Sequence, residues 1–157
     1  MKITLLTTGK TDQSYLREGI DIYVKRLKHY ISFNIIEVPS LKKSSSFPTD
    51  ILKLKEAEAM DKFLDKADCI VLLDERGKQM SSEEFSVFLQ RKMNASVREM
   101  VFVVGGAHGF HEQLSQKAHH KISLSKMTFS HQMVRLFFVE QLYRAFTILK
   151  GESYHNE

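Results

Sequence analysis

Residues 101–110, VFVVGGAHGF, decide the fold of this chain. The first four are apolar and β-branched or aromatic, which is typical of a strand buried on both faces of a parallel sheet. Gly105 and Gly106 follow at once and end the strand. Because ligands of α/β proteins bind at the carboxyl ends of parallel strands, we expect these glycines to border a site.

Strand and helix patterns alternate from one end of the chain to the other. The apolar runs that predict strands are residues 2–8, 33–39, 69–74, 99–106 and 121–125. The periodic or capped segments that predict helices are residues 12–30, 51–67, 81–93, 110–119 and 131–150. The alternation predicts a single α/β domain over residues 1–157, with a mostly parallel sheet flanked by helices.

Shorter signals refine this prediction. Asp12 is a candidate N-cap of the first helix, and Ser81 with Glu84 forms a capping box before the third. Residues 75–80, ERGKQM, predict a turn or short excursion after a strand that ends at Asp74. Residues 40–50 predict a polar loop.

Charge and cysteine content narrow the functional classes. The formal net charge is +4, the pI is near 9.1, and residues 115–150 hold six Lys or Arg against one acid. This basic third suggests RNA as a partner, with a solvated surface as the plain alternative. The single cysteine, Cys69, lies in an apolar run, which favours a core thiol in a reducing compartment. Since no apolar run approaches the length of a membrane span, we expect a cytoplasmic protein without a membrane partner.

The motifs that are missing exclude several common chemistries. GGAHG is neither GxGxxG nor a Walker loop, which disfavours a phosphate-binding site. The seven histidines complete no zinc pattern, so we expect no metal. The GxSxG elbow of a serine hydrolase is absent from the sequence. Gly105 and Gly106 then serve either a tight turn or the close approach of a ligand to bare backbone.

The strand end at Leu124 is a third place where a ligand could bind, and these places are called candidate edges below. The loop in LSKMTFSHQMVR, residues 124–135, leads into the last helix, and its backbone amides can hydrogen-bond a heterocycle or a carboxylate. An ordinary connection between a strand and a helix has the same composition. The other two edges lie at Leu73 and at Gly105.

Four segments together resemble one family. They are MKITLLTTGK, VVGGAHGF, ISLSKMTFSHQMVR and VEQLYRAFTILKGESYH, which match in order and spacing over essentially the whole chain. They are similar to the SPOUT-class, trefoil-knot RNA methyltransferases. The resemblance implies an α/β knot with a C-terminal trefoil knot, S-adenosylmethionine as cofactor, and N3-methylation of a pseudouridine in large-subunit (23S) ribosomal RNA.

The resemblance also implies where the cofactor binds and how subunits assemble. The cofactor-binding positions are Leu73, Gly105, Leu124, Ser125, Lys126, Met127, Thr128 and Phe129. They coincide with the three candidate edges, so the glycines would meet the cofactor. A homodimer is implied, in which the tail of one subunit completes the site of the other.

The candidate catalytic residues lie at the end of the chain. N3 of a uracil-type ring carries a proton, so a protein group has to accept that proton or stabilise the anion formed when it leaves. Tyr154 and His155 are expected to hold the target base, with His155 the candidate proton acceptor, in a tail for which disorder is the usual state. Glu140 and Arg144 can pair on one helix face, either to orient the base or as a surface ion pair.

The remaining basic residues and the last helix complete the prediction. Lys126 and Arg135 are expected to meet phosphates of the RNA. Ser130 and Asn156 depart from the residues usual in the family, a proline and a basic residue. The apolar side chains of the last helix serve either the core or a second copy: Phe137, Phe138, Leu142 and Phe146.

Two rival functions stay open from the residues. One is an RNA-binding or ribosome-associated factor that has the fold and lacks catalysis, and the other is a nucleotide-binding α/β protein. Binding of S-adenosylmethionine separates the enzyme from the first, and binding of ATP or NAD is expected only of the second. A small, modestly charged enzyme has little surface for selecting one nucleotide, so we expect assembled ribosomes to be preferred over short naked RNA.

Overall fold

Five parallel strands form the centre of the molecule in a computed structural model, which describes residues 1–41 and 47–156. The strands are β1 Lys2–Thr8, β2 Ser32–Val38, β3 Cys69–Gln79, β4 Glu99–Val104 and β5 His120–Ser123. They lie in the order β2-β1-β4-β3-β5, and each of these pairings is parallel. The predicted α/β architecture is confirmed.

Helices cover both faces of the sheet. They are α1 Ser14–Leu27, α2 Thr49–Leu64, α3 Ser82–Asn94, α4 Glu112–Lys117 and α5 Met133–Leu149. Side chains of α1, α3 and α5 share one core cluster with Phe102, and side chains of α2 and α4 share another with Val101 and Val103. Since successive residues of β4 are buried on opposite faces, its sequence is apolar without alternation. No helix in the described ranges is long and apolar enough to cross a membrane.

Strand β3 departs from the prediction at its carboxyl end. It resumes pairing after a register shift, with Leu73 and then Lys78 both opposite Ile122 of β5. The predicted end at Asp74 is therefore wrong, although the predicted excursion is present. At Gly77 a Cβ atom would lie 2.6 Å from the backbone of Lys121 and Ile122. Strands β3 and β5 therefore approach each other so closely there that only glycine fits. The trefoil knot stays a prediction.

Two predicted helix starts have different outcomes. The capping box is confirmed, because Ser81 Oγ accepts from the Glu84 amide and the Glu84 carboxylate accepts from the Ser81 amide. Asp12 is not an N-cap, since α1 begins after Gln13 and has no side-chain cap. The Asp12 amide instead donates to Gln132 Oε1 at 2.9 Å. Residues 42–46 of the predicted polar loop lie outside the described residues.

Candidate functional site

The excursion in β3 after Leu73 and the carboxyl ends of β4 and β5 border one cavity of about 830 Å³. A volume of this size lies in the range of small-molecule sites, about 300–1,000 Å³. Seven of the eight predicted cofactor residues line it: Leu73, Gly105, Leu124, Ser125, Met127, Thr128 and Phe129. The eighth, Lys126, is exposed and does not line the cavity. The sheet therefore brings the three candidate edges together, as expected of parallel strands.

The loop after β5 is held by hydrogen bonds of its own side chains. Ser123 Oγ donates to the Ser125 carbonyl at 2.7 Å, and Ser125 Oγ accepts from the Met127 amide at 2.9 Å. Thr128 Oγ1 donates to Glu75 Oε2 at 2.7 Å, which ties the loop to the excursion in β3. The loop is therefore fixed against the cavity before any ligand enters.

The two glycines after β4 meet protein groups at close range. A Cβ atom at Gly105 would lie 3.1 Å from the Phe110 ring, and one at Gly106 would lie 3.0 Å from both carboxylate oxygens of Glu56. Neither glycine has a positive φ, whereas Gly109 has φ +77° and closes the turn by donating to the Gly106 carbonyl. Close approach is therefore the property that Gly105 and Gly106 supply, and turn geometry belongs to Gly109.

Arg135 on the first turns of α5 is buried, with 1% of its surface exposed. Its guanidinium donates to the Thr8 carbonyl at 2.7 Å, the Gly9 carbonyl at 3.0 Å and Thr11 Oγ1 at 3.1 Å. Burial lowers the pKa of this guanidinium from its ordinary value. The prediction that Arg135 meets phosphates is wrong, because the side chain faces the interior and ties the β1–α1 loop to α5.

A tight cluster lies beside the middle of α5 and consists of Glu140, Arg144 and Tyr154. Arg144 Nη2 donates to Glu140 Oε1 at 2.6 Å, and the Tyr154 hydroxyl donates to the same oxygen at 3.0 Å. The side chains of Glu140 and Arg144 are only 19% and 22% exposed, so this ion pair is better shielded from solvent than an ordinary surface ion pair. The Arg144 guanidinium also lies 4.6 Å from the centre of the Tyr154 ring.

The tail is ordered within one chain. Residues Ser153–Asn156 form a 3-10 helix, and the Tyr154 ring packs on Tyr143 with centroids 4.8 Å apart. Burial, followed by hydrogen bonds to Tyr23 and Glu140, raises the pKa of Tyr154 above its ordinary value. The expected disorder of the tail is therefore wrong, because aromatic packing and the carboxylate hold it without RNA.

His155 lies beside the cluster and contacts α3. Its Nε2 atom is 2.7 Å from Glu83 Oε1. Its Nδ1 atom is shielded from solvent and has no hydrogen-bond partner in the described part of the chain. The amide of Glu83 itself, the Ser81 hydroxyl and His155 lower the pKa of Glu83 to about 2, so this carboxylate is ionised at neutral pH.

The cavity and the tail cluster are separate within one chain. Of α5, only Val134 lines the cavity, and neither the cluster nor His155 does. With a rise of about 1.5 Å per residue, Glu140 lies about 9 Å and Arg144 about 15 Å further along the helix. Within residues 1–41 and 47–156, no group of three or more His, Cys, Asp or Glu side chains is arranged to hold a metal ion.

Sequence reasoning missed two carboxylates that the structure places at these sites. Glu83 contacts His155 across 72 positions of sequence, and Glu56 lies against Gly106 across 50. Glu83 is the second residue of α3, beside a predicted capping box, but nothing local pointed to the tail. Glu56 lies within a charged helical segment and carries no local signal.

The chain belongs to the SPOUT methyltransferase family. The family described as "Predicted SPOUT methyltransferase" matches residues 1–155, which confirms the resemblance and the methyltransferase class. The enzyme named ribosomal RNA large subunit methyltransferase H in Christiangramia forsetii is 53% identical over 156 residues, 99% of each chain. The protein of the same name in Bacteroides thetaiotaomicron is 50% identical over 157 residues, all of both chains.

Solved structures show the same fold at low sequence identity. A probable methyltransferase from Bordetella pertussis has a TM-score of 0.56 at 9% identity, over 92% of this chain and 96% of that one. A putative methyltransferase from Legionella pneumophila, solved with bound S-adenosylmethionine, has a TM-score of 0.51 at 10% identity, over 92% and 66%. These likenesses support the α/β fold alone.

Proposed function

We propose that the chain transfers a methyl group from S-adenosylmethionine to N3 of a pseudouridine in large-subunit (23S) ribosomal RNA, on assembled ribosomes in the cytoplasm. The observation that carries the proposal is the cavity at the ends of β3, β4 and β5, lined by seven of the residues expected to hold this cofactor. Membership of the SPOUT methyltransferase family supports the reaction, and relatives of about 50% identity that are named for ribosomal RNA support the substrate.

The cavity has the composition that S-adenosylmethionine requires. Leu73, Val104, Leu124 and Val134 would supply apolar walls for the adenine ring, and Gly105, which packs against the Phe110 ring, also lines the cavity. When bound, the cofactor supplies an electrophilic methyl group on a sulfonium sulfur. The residues of the loop after β5 hold and orient it, because their own hydrogen bonds fix the loop.

A second copy of the chain completes the site. Since the tail cluster lies along α5 away from the cavity of its own subunit, the tail of a partner has to reach that cavity. Large apolar side chains are exposed near the cavity and on α1, among them Met127 at 76% and Tyr15 at 62%, which suits a contact between copies. Phe137 is 38% exposed, whereas the other three aromatic or aliphatic residues of the predicted stripe are in the core.

The tail residues then share the work of holding the base and removing its proton. Tyr154 keeps its hydroxyl proton at neutral pH, so it donates a hydrogen bond and does not act as a base. Among the tail residues, His155 is left as the proton acceptor. Glu140 and Arg144 orient the base and the tail, and the exposed Lys126 contacts a phosphate.

Methyl transfer from labelled S-adenosylmethionine tests the proposal. The substrates are purified ribosomes that lack the modification and matched naked ribosomal RNA. Label is expected on N3 of a pseudouridine in the ribosome and much less on naked RNA. His155→Ala is expected to lose transfer and keep cofactor binding, while His29→Ala, at an exposed position outside the tail, keeps both. A folded protein that binds the cofactor and labels neither substrate contradicts the proposal.

Mixed dimers test whether two subunits share one site. His155→Ala leaves the cavity intact, and Thr128→Arg fills the cavity while leaving the tail intact. If the cavity and the tail come from different subunits, mixing the two inactive variants restores one working site in each mixed dimer. If each subunit works alone, the mixture stays inactive.

A further inference from the structure

We propose that Glu56 is a specificity-determining residue, whose carboxylate beside Gly106 serves as the counter-charge for the cationic end of S-adenosylmethionine. The inference rests on the proposed function, because it takes the cavity at the ends of β3, β4 and β5 as the cofactor site. Glu56 itself lies on α2, outside the set of residues expected to bind the cofactor.

The position of Glu56 follows from the helix and the glycine. Lys53 lines the cavity, and Glu56 follows it by three residues, so both lie on the same face of α2. Both oxygens of the Glu56 carboxylate lie 3.0 Å from the point where a Cβ of Gly106 would be, and Gly106 also lines the cavity. Glu56 is not itself among the residues that line the cavity, so its charge acts across Gly106, whose missing side chain lets the carboxylate approach the wall.

Glu56 has no partner of its own in the part of the chain that the structure describes. No hydrogen bond is made by its carboxylate, and no Lys, Arg or His nitrogen lies within 4.0 Å of it there. Lys53 is directed to Asp50, 3.8 Å away, and the longer-range charge of His108 only partly offsets the desolvation of Glu56. A half-buried carboxylate without a partner is costly, which is a common mark of a functional site.

The cofactor brings a positive charge of the kind that Glu56 does not contact within the described residues. S-adenosylmethionine carries a sulfonium, an α-ammonium and an α-carboxylate, a net charge of one positive unit, and methyl transfer converts the sulfonium into a neutral thioether. A fixed negative charge at the wall therefore favours the cofactor over its product. It favours least of all a neutral fragment such as methylthioadenosine, which retains the adenine and ribose.

Calorimetric binding of these three ligands to the full chain and to Glu56→Gln tests the inference. The amide keeps the size of the side chain and removes the charge. We expect affinity for S-adenosylmethionine to fall about three- to tenfold, as for one partly screened charge pair, and affinity for methylthioadenosine to change less than about twofold. S-adenosylhomocysteine, which keeps only the ammonium, identifies which of the two cations Glu56 meets. Glu58→Gln, an exposed neighbour on the same helix, is the matched control.

Thermal unfolding without ligand shows that the variant is folded. Because desolvation raises the pKa of Glu56 in the folded chain, ionisation costs stability as pH rises above the ordinary value. Glu56→Gln is therefore expected to melt at pH 7 at or above the wild-type temperature. Equal losses for all three ligands, or none for S-adenosylmethionine, overturn the inference. Failure of the wild type to bind S-adenosylmethionine at all instead overturns the proposed function.

Discussion

Replacing Arg135 with Met tests whether the buried guanidinium holds the amino-terminal loop to the cofactor side of α5. The variant keeps an unbranched aliphatic side chain and removes all N–H donors. Four acceptors lose a donor: the Thr8, Gly9 and His131 carbonyls and Thr11 Oγ1, at 2.7, 3.0, 3.1 and 3.1 Å in the wild type. The Gly9 carbonyl keeps a long hydrogen bond of 3.4 Å from Thr7 Oγ1. The loop then has only the bonds of Gln132 left to tie it to α5.

The magnitude follows from two opposing contributions. Each buried acceptor left without a donor costs about 1–3 kcal/mol. The second contribution has the opposite sign. The wild-type guanidinium is buried without a carboxylate within 4.0 Å in the described structure, and the variant avoids the free-energy cost of burying that charge. We expect the free energy of unfolding to fall by about 3 kcal/mol, with a decrease in melting temperature of about 6–12 °C for a chain of this size.

Urea unfolding followed by circular dichroism measures this loss, with Arg17→Met as the control. Arg17 is exposed on α1 and makes one long hydrogen bond, 3.4 Å to the Asp12 carbonyl, so its loss is expected to stay within about 0.5 kcal/mol. Affinity for S-adenosylmethionine is expected to weaken as well, because Arg135 Nε also donates to the carbonyl of His131 at the cavity. A loss below about 1 kcal/mol for Arg135→Met refutes the reasoning, since desolvation then cancels the hydrogen bonds.

Three further substitutions test the other contacts. Gly77→Ala places a Cβ atom 2.6 Å from the backbone of β5, so we expect insoluble protein or a free energy of unfolding lower by more than about 3 kcal/mol in urea. The control Gly109→Ala meets no atom within 4 Å, so its cost comes from the φ of +77° alone. Soluble Gly77→Ala protein of wild-type stability contradicts this expectation. Tyr154→Phe keeps its ring and loses the bond to Glu140, so single-turnover transfer to ribosomes is expected to slow about tenfold, and an unchanged rate removes the hydroxyl from the site. Thr128→Val loses the bond to the β3 excursion and is expected to weaken cofactor binding about three- to tenfold in calorimetry, with equal affinity as the opposing result.

The parts of the fold that the sequence predicts are those that local patterns encode. β4 is recognisable because both of its faces are buried, and Gly105 follows it directly. The capping box at Ser81 is equally local, because its two partners lie three residues apart. In contrast, the resumed pairing of β3 depends on how Gly77 crosses a strand that lies more than 40 positions later, and no local pattern reports it.

The burial of Arg135 is predictable from its position on α5. It lies three residues before Phe138 and seven before Leu142, both fully buried, so helical periodicity alone places it on the apolar face of α5. Its charge suggested a phosphate contact instead. A basic residue on the buried stripe of a helix indicates an interior acceptor set, which the carbonyls at the end of β1 provide.

Helix α5 explains why the expected cofactor-binding residues and the proposed catalytic residues lie apart within one chain. Its first turn is anchored by Arg135 to the end of β1 and borders the cavity, while its middle carries Glu140 and Arg144 on the tail side. A rigid helix fixes the distance between these two sets at about 9–15 Å, so no loop movement at the cavity brings them together. The tail is already ordered on its own chain through Tyr154, so the proposed association of two copies is the step that would join a cavity to a tail. On this proposal, we expect separation of the two copies to abolish transfer and to leave cofactor binding intact.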